Sequence, residues 1–284
     1  MESYHSPVLL NESIKALDIQ IDGVYVDCTF GGGGHSQQIL NRLDSEGKLL
    51  SFDCDEDAVN NKLDDKRFTL VPANFRFIKR FLKLNRIKKV NGILADLGVS
   101  SHQFDTEIRG FSFRFNSQLD MRMNQQADLN AKKVLNEYSA EDLANVLFQY
   151  GDVRASRKLA RAIINARPIN TTFDFKEVIK TISKDDKLLT QAFQAIRIEV
   201  NDEMGALKEL LQQSVEVLEQ GGRLVVISYH SVEDRLVKNY FKTATFNGVP
   251  EKDLYGRFET YFKQNEIYVN KRARSAKLRI GERI

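Results

Sequence analysis

Cysteine is scarce in this 284-residue chain: Cys28 and Cys54 are the only two, and only four histidines accompany them. Neither thiol sits in a CxxC, so a structural zinc site is not expected and no metal is assigned. Each cysteine adjoins aspartate (Asp27; Asp53 and Asp55), and the pair reads as reduced thiols at strand ends in a reducing compartment. Long apolar runs are missing too. No stretch approaches the ~18 apolar residues that would cross a bilayer, so a membrane is not an expected partner. The first ten residues hold Glu2, His5 and Pro7, which fit neither the cationic nor the apolar region of a secretory signal. A cytoplasmic location is therefore expected. Charge of one sign is lacking as well: the net value is +3, which alone says little about nucleic acid.

The distribution of charge says more. Between residues 74 and 95 stand Arg76, Lys79, Arg80, Lys83, Arg86, Lys88 and Lys89, with no acid among them. Arg154, Arg157, Lys158 and Arg161 are three or four apart, which places them on one helix face. Lys271, Arg272, Arg274, Lys277 and Arg279 form a third cluster. Any one of these is ordinarily a solvated surface; three of them in one chain point toward a polyanionic partner.

The chain length allows a full α/β domain plus an insertion. Short β-branched and aromatic runs predict strands at 24–27, 48–52, 68–71 and 93–97, with helices at 35–43, 58–63 and 75–84 between them. That alternation means a parallel sheet with helices on its faces. Residues 105–198 lose the rhythm and read as a mostly helical insertion, with amphipathic helices at 131–149, 153–166 and 174–182. The α/β rhythm then resumes: a helix at 204–218 stopped by Gly221-Gly222, a strand at 223–228, a helix at 231–241, and extended segments near 258–262 and 276–280. The expected organisation is a discontinuous α/β domain, 1–104 with 199–284, interrupted by the helical insertion 105–198.

Val24-Tyr25-Val26-Asp27-Cys28-Thr29-Phe30-Gly31-Gly32-Gly33-Gly34-His35 carries the most information. A strand running through four glycines into a helix lets a ligand approach the backbone and the helix start. An acid ending the next strand would accept from ribose hydroxyls. Asp53 does so, 22 residues after Gly31, near the ~20 expected. The loop departs from GxGxxG, with Ser36 at the third position, and Asp27 stands just upstream. An acid there repels a pyrophosphate but suits the ammonium of a methionine moiety, which favours S-adenosylmethionine over a nicotinamide dinucleotide. Phe75, after the third strand, is placed either to cover an adenine face or to pack in the core.

Asp96-Leu97-Gly98-Val99 ends the fourth strand, where amine methyltransferases place an Asp, Asn or Ser, often within D-P-P-Y. Such acceptors favour the rehybridised amine as it attacks the methyl in line. Ring-carbon methylation is disfavoured, because it needs a cysteine nucleophile and neither cysteine lies in a Pro-Cys context.

These residues, with others spread along the chain, carry a resemblance. They are His5-Ser6-Pro7-Val8-Leu9-Leu10; Gly31, Gly33-Gly34-His35-Ser36; Asp96-Leu97-Gly98-Val99-Ser100-Ser101 and Gln103; Arg109-Gly110-Phe111-Ser112-Phe113; Leu119-Asp120-Met121-Arg122-Met123; Ser228-Tyr229-His230-Ser231; and Arg272-Ala273-Arg274-Ser275. The chain resembles, nearly end to end, the bacterial 16S rRNA (cytosine N4)-methyltransferases of the H type, the MraW-like family. The resemblance implies a Rossmann-like S-adenosylmethionine methyltransferase domain with a mostly helical substrate-recognition insertion. It implies action on a decoding-region cytidine of 16S rRNA in the small ribosomal subunit, and a possible homodimer. It also implies that Gly33, Gly34, His35, Asp53, Phe75, Asp96 and Gln103 contact S-adenosylmethionine. Asp96 is the candidate catalytic residue, either orienting the amine or only binding the cofactor. Arg109, Phe111, His230, Arg272 and Arg274 are candidates for RNA, with core packing the alternative for Phe111 and Phe113 and a structural role the alternative for His230. His102 stands where the family pattern has proline. The competing functions are an amine methyltransferase on another RNA or DNA, a nicotinamide oxidoreductase, and a non-catalytic ribosome assembly factor with the same fold.

Overall fold

Strands with apolar residues on both faces need cover on both sides, and β-branched and aromatic runs alternating with amphipathic segments supply it. The computed structural model describes residues 7–249, 261–263 and 276–284. The chain divides into two compact units: one is the chain up to Gly98 and again from Gly205 onward, the other Val99–Met204.

The first stretch of the first unit runs α1 (Leu10–Leu17), β1 (Val24–Asp27), α2 (Gly34–Leu40), β2 (Lys48–Asp53), a 3₁₀ helix (Glu56–Asn61), β3 (Phe68–Pro72), a 3₁₀ turn (Phe75–Phe77), α3 (Ile78–Leu84) and β4 (Val90–Asp96). The second unit holds α4 (Ser101–Asp105), a 3₁₀ turn (Glu107–Arg109), α5 (Ala131–Glu137), α6 (Ala140–Gly151), α7 (Ser156–Asn165), α8 (Thr172–Lys180) and α9 (Asp186–Asn201). The chain then continues through α10 (Glu203–Val217), β5 (Leu218–Ser228), α11 (Ser231–Thr243), β6 (Tyr261–Lys263) and β7 (Lys277–Glu282).

The seven strands form one sheet in the order β3-β2-β1-β4-β5-β7-β6. Strands β1 to β5 are parallel, and β7 runs antiparallel to both β5 and β6. This is an α/β, Rossmann-like fold closed by one reversed strand. Because β1 lies between β2 and β4, the connections diverge there and leave a crevice at the carboxyl ends of β1 and β4. Alternation decides which helices cover which face. Leu49 packs with α1 and α2 through Leu17, Ile39 and Leu40, whereas Phe52, of opposite parity, meets Phe81 of α3 edge-on at 5.8 Å.

Four local expectations change. The helix expected at 131–149 is two helices, because Ser139 accepts from the Asp142 amide and starts α6 afresh. Gly221-Gly222 does not stop α10, which ends at Val217. Those glycines lie inside β5, where the Gly221 amide donates to Arg283 O at 2.7 Å and Gly222 O accepts from Arg283 N at 2.9 Å. Opposite them the register with β4 jumps from Val90↔Leu218 to Gly92↔Arg223, a bulge that the left-handed φ of Gly221 (78°) accommodates. Helix α9 runs unbroken through residue 198, where the insertion was expected to end. Helix α1 was not anticipated. The second unit has its own core, in which Leu135, Leu143, Leu147, Leu159, Ile163, Phe175 and Ile196 are all fully buried. No helix among the described residues is long and apolar enough to cross a membrane.

Candidate active site

Beyond β1 the chain stays pinned between its neighbours: the Cys28 amide donates to Leu94 O at 2.7 Å and the Phe30 amide to Phe52 O at 2.9 Å. The glycines then open the loop. Gly31 has φ +51° and open space where a Cβ would stand, while Gly33 has φ +77° and starts α2. A Cβ on Gly34 would overlap Pro7 Cγ, so the segment before α1 closes on the loop only because that side chain is missing.

Asp27 requires a correction. It is 0% exposed, its Oδ2 accepts from Ser36 Oγ at 2.7 Å, and its Oδ1 accepts from the Thr29 amide at 3.1 Å. Ser36 Oγ also lies 2.7 Å from Ser51 Oγ. Asp27 therefore ties the loop to α2 and β2, and its complete burial, rather than a lack of lone pairs, keeps it from a ligand's ammonium. Burial raises its pKa. Burial likewise raises the Cys28 thiol well above its ordinary range, so this cysteine is no nucleophile.

Asp53 ends β2. Its Oδ2 accepts from the Gly31 amide at 2.8 Å and its Oδ1 from the Asp55 amide at 2.9 Å. Each oxygen keeps acceptor capacity, since a carboxylate offers about four lone-pair sites. Burial lifts its pKa to about 6, against the pull of the two amides. His35, in the first turn of α2, is 5% exposed, and its Nε2 has no hydrogen-bond partner. Burial lowers its pKa, so the ring is neutral near pH 7. A buried, unpartnered imidazole nitrogen beside an open glycine loop is what an absent polar ligand would leave behind. Phe75 is half-buried, at the start of the 3₁₀ turn that Asn74 caps through the Arg76 amide at 2.9 Å.

Asp96 ends β4 with 22% of its side chain exposed. Its amide donates to Thr29 Oγ1 at 2.7 Å, its Oδ1 accepts from the Tyr229 hydroxyl at 2.7 Å, and its Oδ2 lies 3.9 Å from His35 Nδ1. Desolvation lifts its pKa to about 6; His35 and the Tyr229 hydrogen bond pull the other way. The Tyr229 amide donates to Glu233 Oε2 at 2.9 Å, so this tyrosine is held at both ends. Sequence reasoning missed Tyr229. The signal lies in the register: Asp96 pairs with Ile227, and a residue two further along β5's path is on the same side and reaches back.

The remaining candidates fall elsewhere. Gln103 belongs to the second unit, where its Oε1 accepts from the Ser100 amide at 3.0 Å in a capping box on α4. Arg109 and Phe111 depart from the expectation that they face RNA. Arg109 is buried and donates to the carbonyls of Arg122 (3.0 Å) and Met123 (3.3 Å), and Phe111 lies in the second unit's core. Phe113 packs edge-on against Phe193 at 5.4 Å. His230 caps α11: its Nδ1 accepts from the Glu233 amide at 3.4 Å, and its Nε2 lies 3.0 Å from Glu233 Oε1 but off the line of a hydrogen bond. Arg272 and Arg274 lie outside the described residues.

The chain matches the family model described as the MraW methylase family over residues 2–284. A ribosomal RNA small subunit methyltransferase H from Flavobacterium johnsoniae is 57% identical, over 99% of this chain and 98% of that protein. Its namesake from Bacteroides fragilis is 51% identical, over 99% and 98%. Among solved structures, one described as a candidate rRNA-methylase from Clostridium thermocellum shares the fold at a TM-score of 0.50 and 14% identity, covering 98% of each chain.

Proposed function

Because the chain belongs to the MraW methylase family, we propose that it methylates small-subunit ribosomal RNA, and more finely that it transfers the methyl group of S-adenosylmethionine to N4 of a cytidine in the decoding region of 16S rRNA within the small subunit. The single observation that carries the reaction is Asp96, a carboxylate at the end of β4 that Tyr229 and Thr29 hold in place with Oδ2 left for a ligand. The substrate class rests on end-to-end similarity to small-subunit methyltransferases.

The residues present fit the cofactor. Gly31 leaves the loop backbone approachable, Asp53 has acceptor sites to spare for ribose hydroxyls, and His35 Nε2 is buried without a partner. Phe75 keeps ring surface for an adenine. When bound, S-adenosylmethionine supplies an electrophilic methyl on a sulfonium. The amine nitrogen of cytosine is a poor nucleophile, because its lone pair is delocalised into the ring. Asp96 Oδ2 accepts one of its N–H bonds and so favours the nitrogen whose lone pair is freed for attack. A methylated amine nitrogen is acidic, and Asp96, with a pKa of about 6, would receive its proton and return it to water.

Removing the Tyr229 hydroxyl tests the arrangement. Tyr229→Phe takes away a hydrogen bond that favours ionised Asp96, so the Asp96 pKa rises further and the acid limb of the kcat profile moves to higher pH. A rise of about one unit lowers kcat about twofold at pH 7 and about fivefold at pH 6. An unshifted limb would separate Tyr229 from Asp96 function.

The overall reading is tested by tritium transfer from labelled S-adenosylmethionine to small subunits lacking the modification and to protein-free 16S RNA, followed by nucleoside analysis. Label in N4-methylcytidine is the expected result. Label in another nucleoside would move the target, and cofactor binding without transfer to either acceptor would leave an assembly factor.

A further inference from the structure

Of the three basic clusters in the sequence, the first is engaged within the chain at three of its seven positions, while Arg80, Lys83, Arg86 and Lys88 stay exposed. Arg76 pairs with Glu209, Lys79 with Glu216, and Lys89 Nζ donates to Glu216 O at 2.6 Å, so α10 takes up three of that cluster's seven cations. The cluster on α7 is different. Its inward side is Leu159, Ala160 and Ile163, all fully buried, and its outward side carries Arg157, Lys158 and Arg161, exposed, with exposed Arg154 just before the helix.

The other arginines of the second unit set the contrast. Arg109 and Arg167 donate to backbone carbonyls, Arg114 pairs with Asp105, Arg122 with Asp120 and Arg197 with Glu203. Arg154, Arg157 and Arg161, with Lys158, have no ion pair, side-chain hydrogen bond or ring partner among the described residues. Nor do these charges serve the helix. Helix α7 has no acid in its first turn and no side-chain cap, so Arg157 and Lys158 sit at the end where the backbone dipole disfavours cations. Two of these cations oppose their own helix, and all four are left facing outward from the chain.

We propose that this face of α7 binds the phosphate backbone of the RNA substrate, an inference that rests on the rRNA reading above. Arg157 and Arg161 are one helical turn apart, about 6 Å along the axis, which matches the rise of about two nucleotides of one strand. The contacts are to phosphate, so they position the RNA and do not select its bases.

The test is the salt dependence of binding. The triple variant Arg157→Ala, Lys158→Ala, Arg161→Ala is compared with the unaltered chain on protein-free 16S RNA and on small subunits, from about 50 to 300 mM KCl, a range over which phosphate contacts are screened. Three lost contacts reduce the slope of log affinity against log salt by about 2 to 3, and weaken binding by about tenfold or more near 0.1 M. The melting temperature changes little, because all three side chains are exposed and without partners and two of them oppose the helix dipole, and cofactor affinity is unchanged. Arg157→Lys with Arg161→Lys retains the slope, since phosphate accepts either cation. An unaltered slope would overturn the proposal, and so would weakening confined to subunits, which would assign the face to an acidic ribosomal protein. If the slope responds but the unaltered chain transfers no methyl to small-subunit RNA, the functional reading fails and the RNA surface stands.

Discussion

Replacing Asp96 by asparagine is expected to slow methyl transfer about a hundred- to a thousandfold and at the same time to stabilise the fold. The two effects share one cause. Asp96 is held as a carboxylate where desolvation lifts its pKa from 3.8 to about 6. A raised carboxylate pKa means that the folded state prefers the protonated form, so stability from this group is fully present below about pH 4 and declines as pH rises to about 6. Above that the group costs on the order of 1–3 kcal/mol, an amount that an asparagine side chain, which never ionises, does not incur. Asparagine keeps an oxygen for the Tyr229 hydroxyl but turns an N–H₂ toward the place of Oδ2, where it repels the amine it should accept from. Melting curves at pH 5 and pH 7.5 check the first half: the variant's advantage should be the larger at pH 7.5. Single-turnover transfer checks the second. In the unaltered enzyme the rate should fall below about pH 6, as Asp96 takes up its proton. A variant with full turnover would restrict Asp96 to a structural part, whatever its melting point.

The sequence carried the parallel sheet and the β1–glycine–α2 unit openly, because their signals are local. β-branched runs, four glycines and an acid at the end of the next strand are each read within a few residues. Asp53 and Asp96 were legible for the same reason, as acids at strand ends. What stayed hidden depends on residues distant in sequence. Asp27 looked free to meet a ligand, but Ser36, nine residues on, turns back to cover it. Arg109 and Phe111 were candidates for RNA, with core packing open for Phe111; the carbonyls of Arg122 and Met123 draw the guanidinium inward, and Phe111 lies in the second unit's core. Gly221-Gly222 looked like a helix stop, and only the pairing with Arg283 shows a bulge. Tyr229 required the register between β4 and β5, which no single-strand pattern contains.

Asp53→Ala is expected to weaken S-adenosylmethionine binding about 10- to 100-fold, the value of one or two hydrogen bonds to a charged acceptor. The proposed ribose contact has a signature that separates it from loop damage. Hydroxyl donors bind the ionised carboxylate and not the acid, so affinity in the unaltered chain is present above about pH 6 and drops toward tenfold per pH unit below it. Calorimetric titrations from pH 5 to 8 should show this fall, and the alanine variant should lose most of it. Alanine also leaves the Gly31 amide without its acceptor, so part of the loss is a looser glycine loop, and that part has no pH dependence. Asp27→Ala provides the contrast: Asp27 is enclosed by Ser36 and Thr29, so its removal lowers the melting temperature first and affinity only as the loop loosens. An Asp53→Ala protein that binds cofactor weakly yet keeps the full pH dependence would move the titrating acceptor to another residue, with Asp96, whose pKa is also about 6, the next candidate.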